Sequence, residues 1–305
     1  MRAGWTLLST IALASLVSPL AGRQVFRGGV DAVRLPVVVL AKDGAPIRGL
    51  TADDFEVLDG GRPQQVAFFA EGRPGPDVPL HLGVMLDRSE SMELDLKAAS
   101  DAAIRFIDAL DEAQDVTLVE FEKTIQVSRF SPASYPQLFS RIRNGKLGPL
   151  TALNDAVGRY VETTRGRAGQ HVLLLYTDGG DSANGLTASD VETLLRMGDV
   201  MVYVMGYVEN LPASERLRMQ SRLTRMAGET GGEAFFPSTL KDVSAAYARI
   251  RAEIDARYTL GYLPDAARDG RFRKVDVRLR HPGPGVRVRT RSGYIALAAD
   301  DPRLK

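Results

Sequence analysis

The chain has 305 residues, 44% of them hydrophobic and 25% charged, and its 39 basic side chains nearly cancel 38 acidic ones to a formal net charge of +1. That length suits one large domain or two modest ones with a real core. The composition excludes a disordered chain and a membrane-embedded bundle, and the charge balance argues against a nucleic-acid partner, which needs a basic surplus.

The N-terminus carries one Arg near its start, an apolar run from Trp5 to Leu20, and small residues at Ala21 and Gly22. This is the pattern of a secretory signal peptide, assigned to residues 1–23. The run falls short of the ~20 apolar residues that a spanning helix needs, and no later segment is apolar enough to cross a bilayer. The expectation is an exported protein, periplasmic, extracellular or associated with the cell envelope, with no integral membrane span after cleavage; a retained anchor is the alternative. Cysteine is absent and only three histidines occur, so an exported chain of this kind is held by packing, without disulfides. The same counts exclude thiol catalysis and Cys-ligated zinc, iron or copper sites, and leave little room for a histidine-rich metal site.

Residues 24–72 read as strand and turn: "AVRLPVVVLA", "DFEVL" and "QQVAFFA", punctuated by "KDG" and "DGG", with no helical periodicity. Residues 73–79 are rich in Gly and Pro and read as a linker. From 80 to 256 the texture alternates. Apolar strands are expected at "LHLGVML", "DVTLVEF", "HVLLLYT", "VMVYVMGY" and "EAFF", and most of the intervening segments carry apolar residues at helical spacing. Leu96, Ala99, Ala103, Ile107 and Leu110 share one such face. This alternation implies a doubly wound, mostly parallel α/β sheet covered on both sides. "TIQVSRF", which follows the second strand after one tight turn, is expected to be an antiparallel edge strand. Residues 257–298 return to strands at "YTLGYLP", "FRKVDVRLR", "VRVRT" and "GYIAL", and residues 299–305 read as a tail. The alternating Arg273, Arg278, Arg280, Arg287, Arg289 and Arg291 read as the solvated side of a half-buried sheet. Strands from the two terminal segments are expected to pair into a β-sandwich-like module.

Asp87 ends the first strand of the alternating region and Asp178 follows another, so both should lie at the edge where an open parallel sheet binds ligands. Ser89 and Ser91 sit on the loop after Asp87, and Thr151 sits on a loop that opens on the same edge. Each hydroxyl has a plainer reading: Ser89 or Ser91 can cap a helix beginning near Met92, and Thr151 a helix from Ala152. Taken together, two carboxylates and three hydroxyls form an all-oxygen set suited to a hard divalent cation, Mg²⁺, Mn²⁺ or Ca²⁺. Asp181 and Glu120 lie near strand ends on the same edge and read as solvated rim acids rather than ligands. His81 and His171 open apolar strands and read as packed or edge histidines rather than bases.

The triplet "DRSES" with the Thr of "LTALNDA" and the Asp of "YTDGGD" resembles, in the family's order, the metal-ion-dependent adhesion site (MIDAS) of von Willebrand factor type A (VWA) domains. "GAPIRGLTADDFEVLDGGRPQQVAFF" and the terminal strands resemble the flanks of an acidobacterial-type VWFA-related family of exported proteins. The resemblance implies that Ser89 and Ser91 bind the metal directly and Thr151 directly or through water. Asp87 and Asp178 would act mostly through water or hydrogen bonds to the metal's shell, and the remaining position would take an acidic side chain of a protein partner. It implies binding rather than catalysis. H-E-x-x-H, G-x-S-x-G and G-x-x-x-x-G-K-[ST] are all missing, and "GDSAN" ends in Asn184 where a nucleophile elbow needs Gly. A scaffold role without metal-dependent binding is the first rival, and a metal-assisted hydrolase the second.

Overall fold

The computed structural model describes residues 32–72, 78–110, 112–183, 185–265, 269–297 and 301. The expected signal peptide (1–23) and most of the linker (73–79) and tail (299–305) lie outside the described residues. From Ala32 onward the chain forms one compact unit.

Four strands come first: β1 (Val33–Leu40), β2 (Phe55–Asp59), β3 (Arg62–Gln64) and β4 (Phe68–Glu71). The alternating region then supplies β5 (Leu80–Asp87), α1 (Leu96–Ala109), β6 (Asp115–Phe121), β7 (Ile125–Phe130), α2 (Tyr135–Asn144), α3 (Leu153–Thr164) and β8 (Gln170–Thr177). It continues through α4 (Ala188–Met197), β9 (Val200–Gly206), α5 (Ala213–Gly228), β10 (Ala234–Phe235) and α6 (Leu240–Ala256). The chain closes with β11 (Tyr258–Tyr262), β12 (Phe272–Leu279), β13 (Arg287–Thr290) and β14 (Gly293–Ile295).

The central sheet has six strands in the order β10-β9-β8-β5-β6-β7. All neighbours are parallel except β7, the antiparallel edge strand beside β6. Strands buried on both faces read as continuous apolar runs, and every residue of β5 is buried. Their period of two deals side chains to opposite layers. Leu82, Val84 and Leu86 join the layer of α1, α2 and α6, whereas Met85 joins that of α3, α4 and α5. Gly83 faces this second layer, where a Cβ would lie 2.3 Å from the Tyr160 ring; the missing side chain is what lets α3 pack closely on β5.

The chain leaves β5 for β6 on one side and later returns to β8 on the other. The loops that follow β5 and β8 therefore diverge and open a crevice at the carboxyl ends of the strands, the switch point where α/β sheets bind ligands. The first of these loops contains a 3₁₀ turn, Glu90–Met92, so that α1 begins at Leu96 rather than near Met92. Neither Ser89 nor Thr151 caps a helix with its side chain: Ser89 precedes the turn with no such bond, α1 is preceded by Asp95, and α3 by Ala152.

The remaining strands form two four-stranded antiparallel sheets, β13-β1-β11-β4 and β14-β12-β2-β3. Val37, Val39 and Leu260 from one and Phe55, Val57, Val275 and Val277 from the other share a core, which makes the pair a sandwich. Inside it Tyr262 and Tyr294 both donate to Asp59 Oδ2, at 3.0 and 2.8 Å. From Val37 onward β1 is buried on both faces. Its odd-numbered residues fill the sandwich core, while Val38 and Leu40 join the α6 layer of the central sheet.

The arginine alternation divides, correcting the reading of a wholly solvated face. Arg278, Arg280 and Arg287 are exposed, but Arg289 and Arg291 dock the sandwich onto the α/β layers. Arg289 pairs with Glu233 and Glu253, and Arg291, itself buried, donates to the Arg196 carbonyl at 2.6 Å.

Candidate metal centre at the carboxyl edge of the sheet

Asp87 closes β5 at the crevice and is 1% exposed. Its Oδ1 accepts the Ser89 amide at 2.9 Å, which folds the loop back on itself, and its Oδ2 accepts the Thr177 hydroxyl at 2.6 Å from the end of β8. Burial pushes its carboxyl up to about 6, against those hydrogen bonds, and the Asp178 charge adds to the rise. The Ser89 and Ser91 hydroxyls are 3.0 Å apart; Ser89 is buried and Ser91 exposed, so the loop runs from the interior to solvent within two residues.

On the β8 side, Thr177 Oγ1 accepts the Gly179 amide at 3.0 Å and Asp178 Oδ1 accepts the Gly180 amide at 2.8 Å. Gly179 holds a positive φ of 89°, a conformation that glycine adopts at little cost, and this tight turn keeps Asp178 at the edge. Thr151 is fixed by reciprocal bonds to Ser182: its amide donates to Ser182 Oγ and its carbonyl accepts the Ser182 amide, both at 2.8 Å. A Cβ placed on Gly180 would lie 3.1 Å from Asp178 Oδ1 and 4.0 Å from Thr151 Oγ1, so these two donors flank one short stretch of backbone.

The structure thus brings Asp87, Ser89, Ser91, Thr151 and Asp178 to one edge. Among the described residues neither carboxylate is paired with a Lys or Arg. Nor does any group of three or more His, Asp or Glu side chains there form a cation cage; this set has two carboxylates, with hydroxyls as its other donors. The donor chemistry fits a hard divalent cation.

Residues near strand ends divide by partner. Glu120 is no solvated rim acid: it is 8% exposed and held by Arg88 at 3.0 Å and Arg141 at 2.6 Å. Asp181 accepts from the Asn154 amide group at 2.7 Å and lies 3.9 Å from Arg222, bracing α3 against the loop. His81 and His171 stack with ring centroids 4.9 Å apart at the opposite, amino edge. There His81 meets Asp115 at 3.0 Å, and burial lowers the His171 pKa.

Sequence reasoning missed Thr177, although a hydroxyl one residue before Asp178 at a strand end was a readable signal. It also missed Asp95, which accepts from Asn210 at 3.0 Å and whose carboxyl is raised by burial and by the charge of Asp178.

A six-stranded sheet with one antiparallel edge strand, helices on both faces, and this ordered set of loops at its carboxyl edge is a doubly wound α/β domain of the kind that the VWA resemblance implies. No family model matches the chain, and no curated protein matches it. Among solved structures, the conserved hypothetical protein BatB from Bacteroides thetaiotaomicron is 16% identical over 56% of this chain and 97% of its own, with a TM-score of 0.45. A von Willebrand factor type A protein from Catenulispora acidiphila is 12% identical over 92% of this chain and 77% of its own, with a TM-score of 0.44. Proximal thread matrix protein 1 of the mussel byssus, in a form with a zinc-occupied MIDAS motif, is 16% identical over 61% of this chain and 49% of its own, with a TM-score of 0.46. These are likenesses of chain path at low identity.

Proposed function

We propose that the chain is an exported, non-catalytic binding module that engages an acidic group of a partner protein through a divalent cation, Mg²⁺, Mn²⁺ or Ca²⁺, held at the carboxyl edge of the central sheet. One observation carries the reading: Asp87 and Asp178 are both buried, the charge of one acting on the other, and among the described residues no Lys or Arg is paired with either. Burying charge without a partner is costly, and a cation supplies the missing countercharge. Ser89, Ser91 and Thr151 would hold the ion through neutral oxygens that leave much of its charge uncancelled, so it stays attractive to an external carboxylate. Ser91 stands at the solvent side, where that carboxylate would arrive. Export rests on the N-terminal signal pattern; among the described residues no helix is long and apolar enough to cross a membrane.

The test is calorimetric titration of chelator-stripped mature protein with each of the three ions, beside Asp87→Ala and Ser91→Ala. Saturable uptake of one ion, lost in Asp87→Ala, is expected, followed by partner capture that chelator abolishes. If no ion binds and capture ignores chelator, the scaffold reading replaces this one.

A further inference from the structure

Beside the metal edge lies a groove of about 500 Å³, bounded by the β6–β7 turn, the end of α2 and the loop 145–150 that leads to Thr151. One hydrogen bond separates its walls from the candidate ligands on either side. The Glu90 amide donates to the Gly148 carbonyl at 2.9 Å, and the Ala152 amide donates to the Glu122 carbonyl at 2.8 Å. The groove is an extension of the site rather than a separate cavity.

Its charge is positive. Arg88, only 2% exposed, donates through Nη2 to Glu120 at 3.0 Å and to the Ile142 carbonyl at 2.7 Å, while its Nε is buried without a partner. Gly145 closes over this guanidinium, and a Cβ there would lie 2.3 Å from Arg88 Cζ. Arg141 shares the same Glu120 carboxylate. Glu122 is turned onto the Thr124 amide and hydroxyl, at 3.0 and 2.6 Å. Lys146 is exposed at the groove, and no ion pair among the described residues engages it. Three cations therefore face two carboxylates. The opposite bank of the metal edge is acidic: Asp95 accepts from Asn210, on the loop after β9, and Glu93 is exposed near it. An acidic segment anchored at the metal is repelled on that bank and attracted toward the groove.

Resting on the metal reading above, we propose that the groove is a second subsite for the same partner. It takes a peptide segment whose one carboxylate goes to the cation and whose second acidic side chain, a few residues along, goes to Lys146. A pocket of this size holds a few residues of extended chain, and the second contact supplies specificity that a lone carboxylate lacks.

The experiment uses mature protein whose Mn²⁺ uptake has been measured first. A Gly-Ser peptide with one Asp is compared with peptides that carry a second Glu two, three or four residues away on either side. At least one two-acid peptide should bind tenfold or more tightly than the one-acid peptide. Lys146→Glu should erase that gain while leaving Mn²⁺ uptake and one-acid binding unchanged. Uptake of Mn²⁺ with no gain from any second acid, or a gain that survives Lys146→Glu, overturns the proposal alone. No uptake of Mg²⁺, Mn²⁺ or Ca²⁺, with partner capture that ignores chelator, overturns the metal reading, and this proposal with it.

Discussion

Two of the regions that bury carboxylates treat them in opposite ways. At the seam between the sandwich and the central sheet, Glu253 is 0% exposed and fully met: Arg249 Nε lies 3.2 Å away, the Tyr203 hydroxyl donates at 3.0 Å, and Arg289 pairs with it from β13. At the carboxyl edge, Asp87 is nearly as buried but is met by neutral donors of Ser89 and Thr177, and the charge that acts on it is that of another acid, Asp178. The seam's charges cancel within the chain. The edge leaves negative charge that no Lys or Arg among the described residues balances, and on the reading proposed above this is the physical difference between an ion pair that holds two layers together and a ligand site.

The largest test of this contrast is Glu253→Ala. It leaves Arg289 and Arg249 to share Glu233 alone, and breaking a buried pair from one side typically costs about 3–5 kcal/mol. Urea unfolding should show that loss equally with and without Mg²⁺. A loss under about 1 kcal/mol would show that water reaches the seam and that the contrast is weaker than the geometry suggests. Asp87→Asn comes next. Metal affinity should fall at least a hundredfold, about 2.7 kcal/mol, while stability in chelator stays within about 1 kcal/mol of the parent or rises, because the amide removes a buried charge that had no partner. A stability loss as large as that of Glu253→Ala, with metal uptake intact, would make Asp87 a structural acid like those of the seam.

The sequence made the α/β layout readable because strands buried on both faces leave apolar runs that no neighbour can disguise. The edge strand β7 was readable because only one tight turn separates it from β6. That the five candidate donors share one edge was readable for a related reason: they sit next to strand ends, and a parallel sheet sends all such ends the same way. What escaped depends on partners distant in sequence. Arg289 and Arg291 alternate along the chain like the exposed Arg278 and Arg287, and only the fold brings Glu233, Glu253 and the Arg196 carbonyl against them. Glu120 reads as a surface acid until Arg88 and Arg141 close on it from 32 residues before and 21 residues after. β3 escaped because three residues, one of them Pro63, carry no periodicity; its pairing with β2 follows from the turn at Gly60 and Gly61, both with positive φ.

Thr177→Val sharpens the comparison with the smallest expected effect. The Thr177 hydroxyl is the one side-chain donor to Asp87 that comes from another strand. It holds the carboxylate toward the crevice and favours its charged form. Valine keeps the shape and removes the bond, so Asp87 stays buried but loses its orientation. Groups that orient a metal site in this way typically account for 10–100-fold in affinity, and the low end, about tenfold, is expected here because the Ser89 amide still holds the other oxygen. Thr177→Ser restores the hydroxyl and should restore affinity in the same titration. If valine and serine bind the cation alike, Asp87 is positioned by its strand and the Ser89 amide, and the contrast between edge and seam rests on missing countercharge without any help from Thr177.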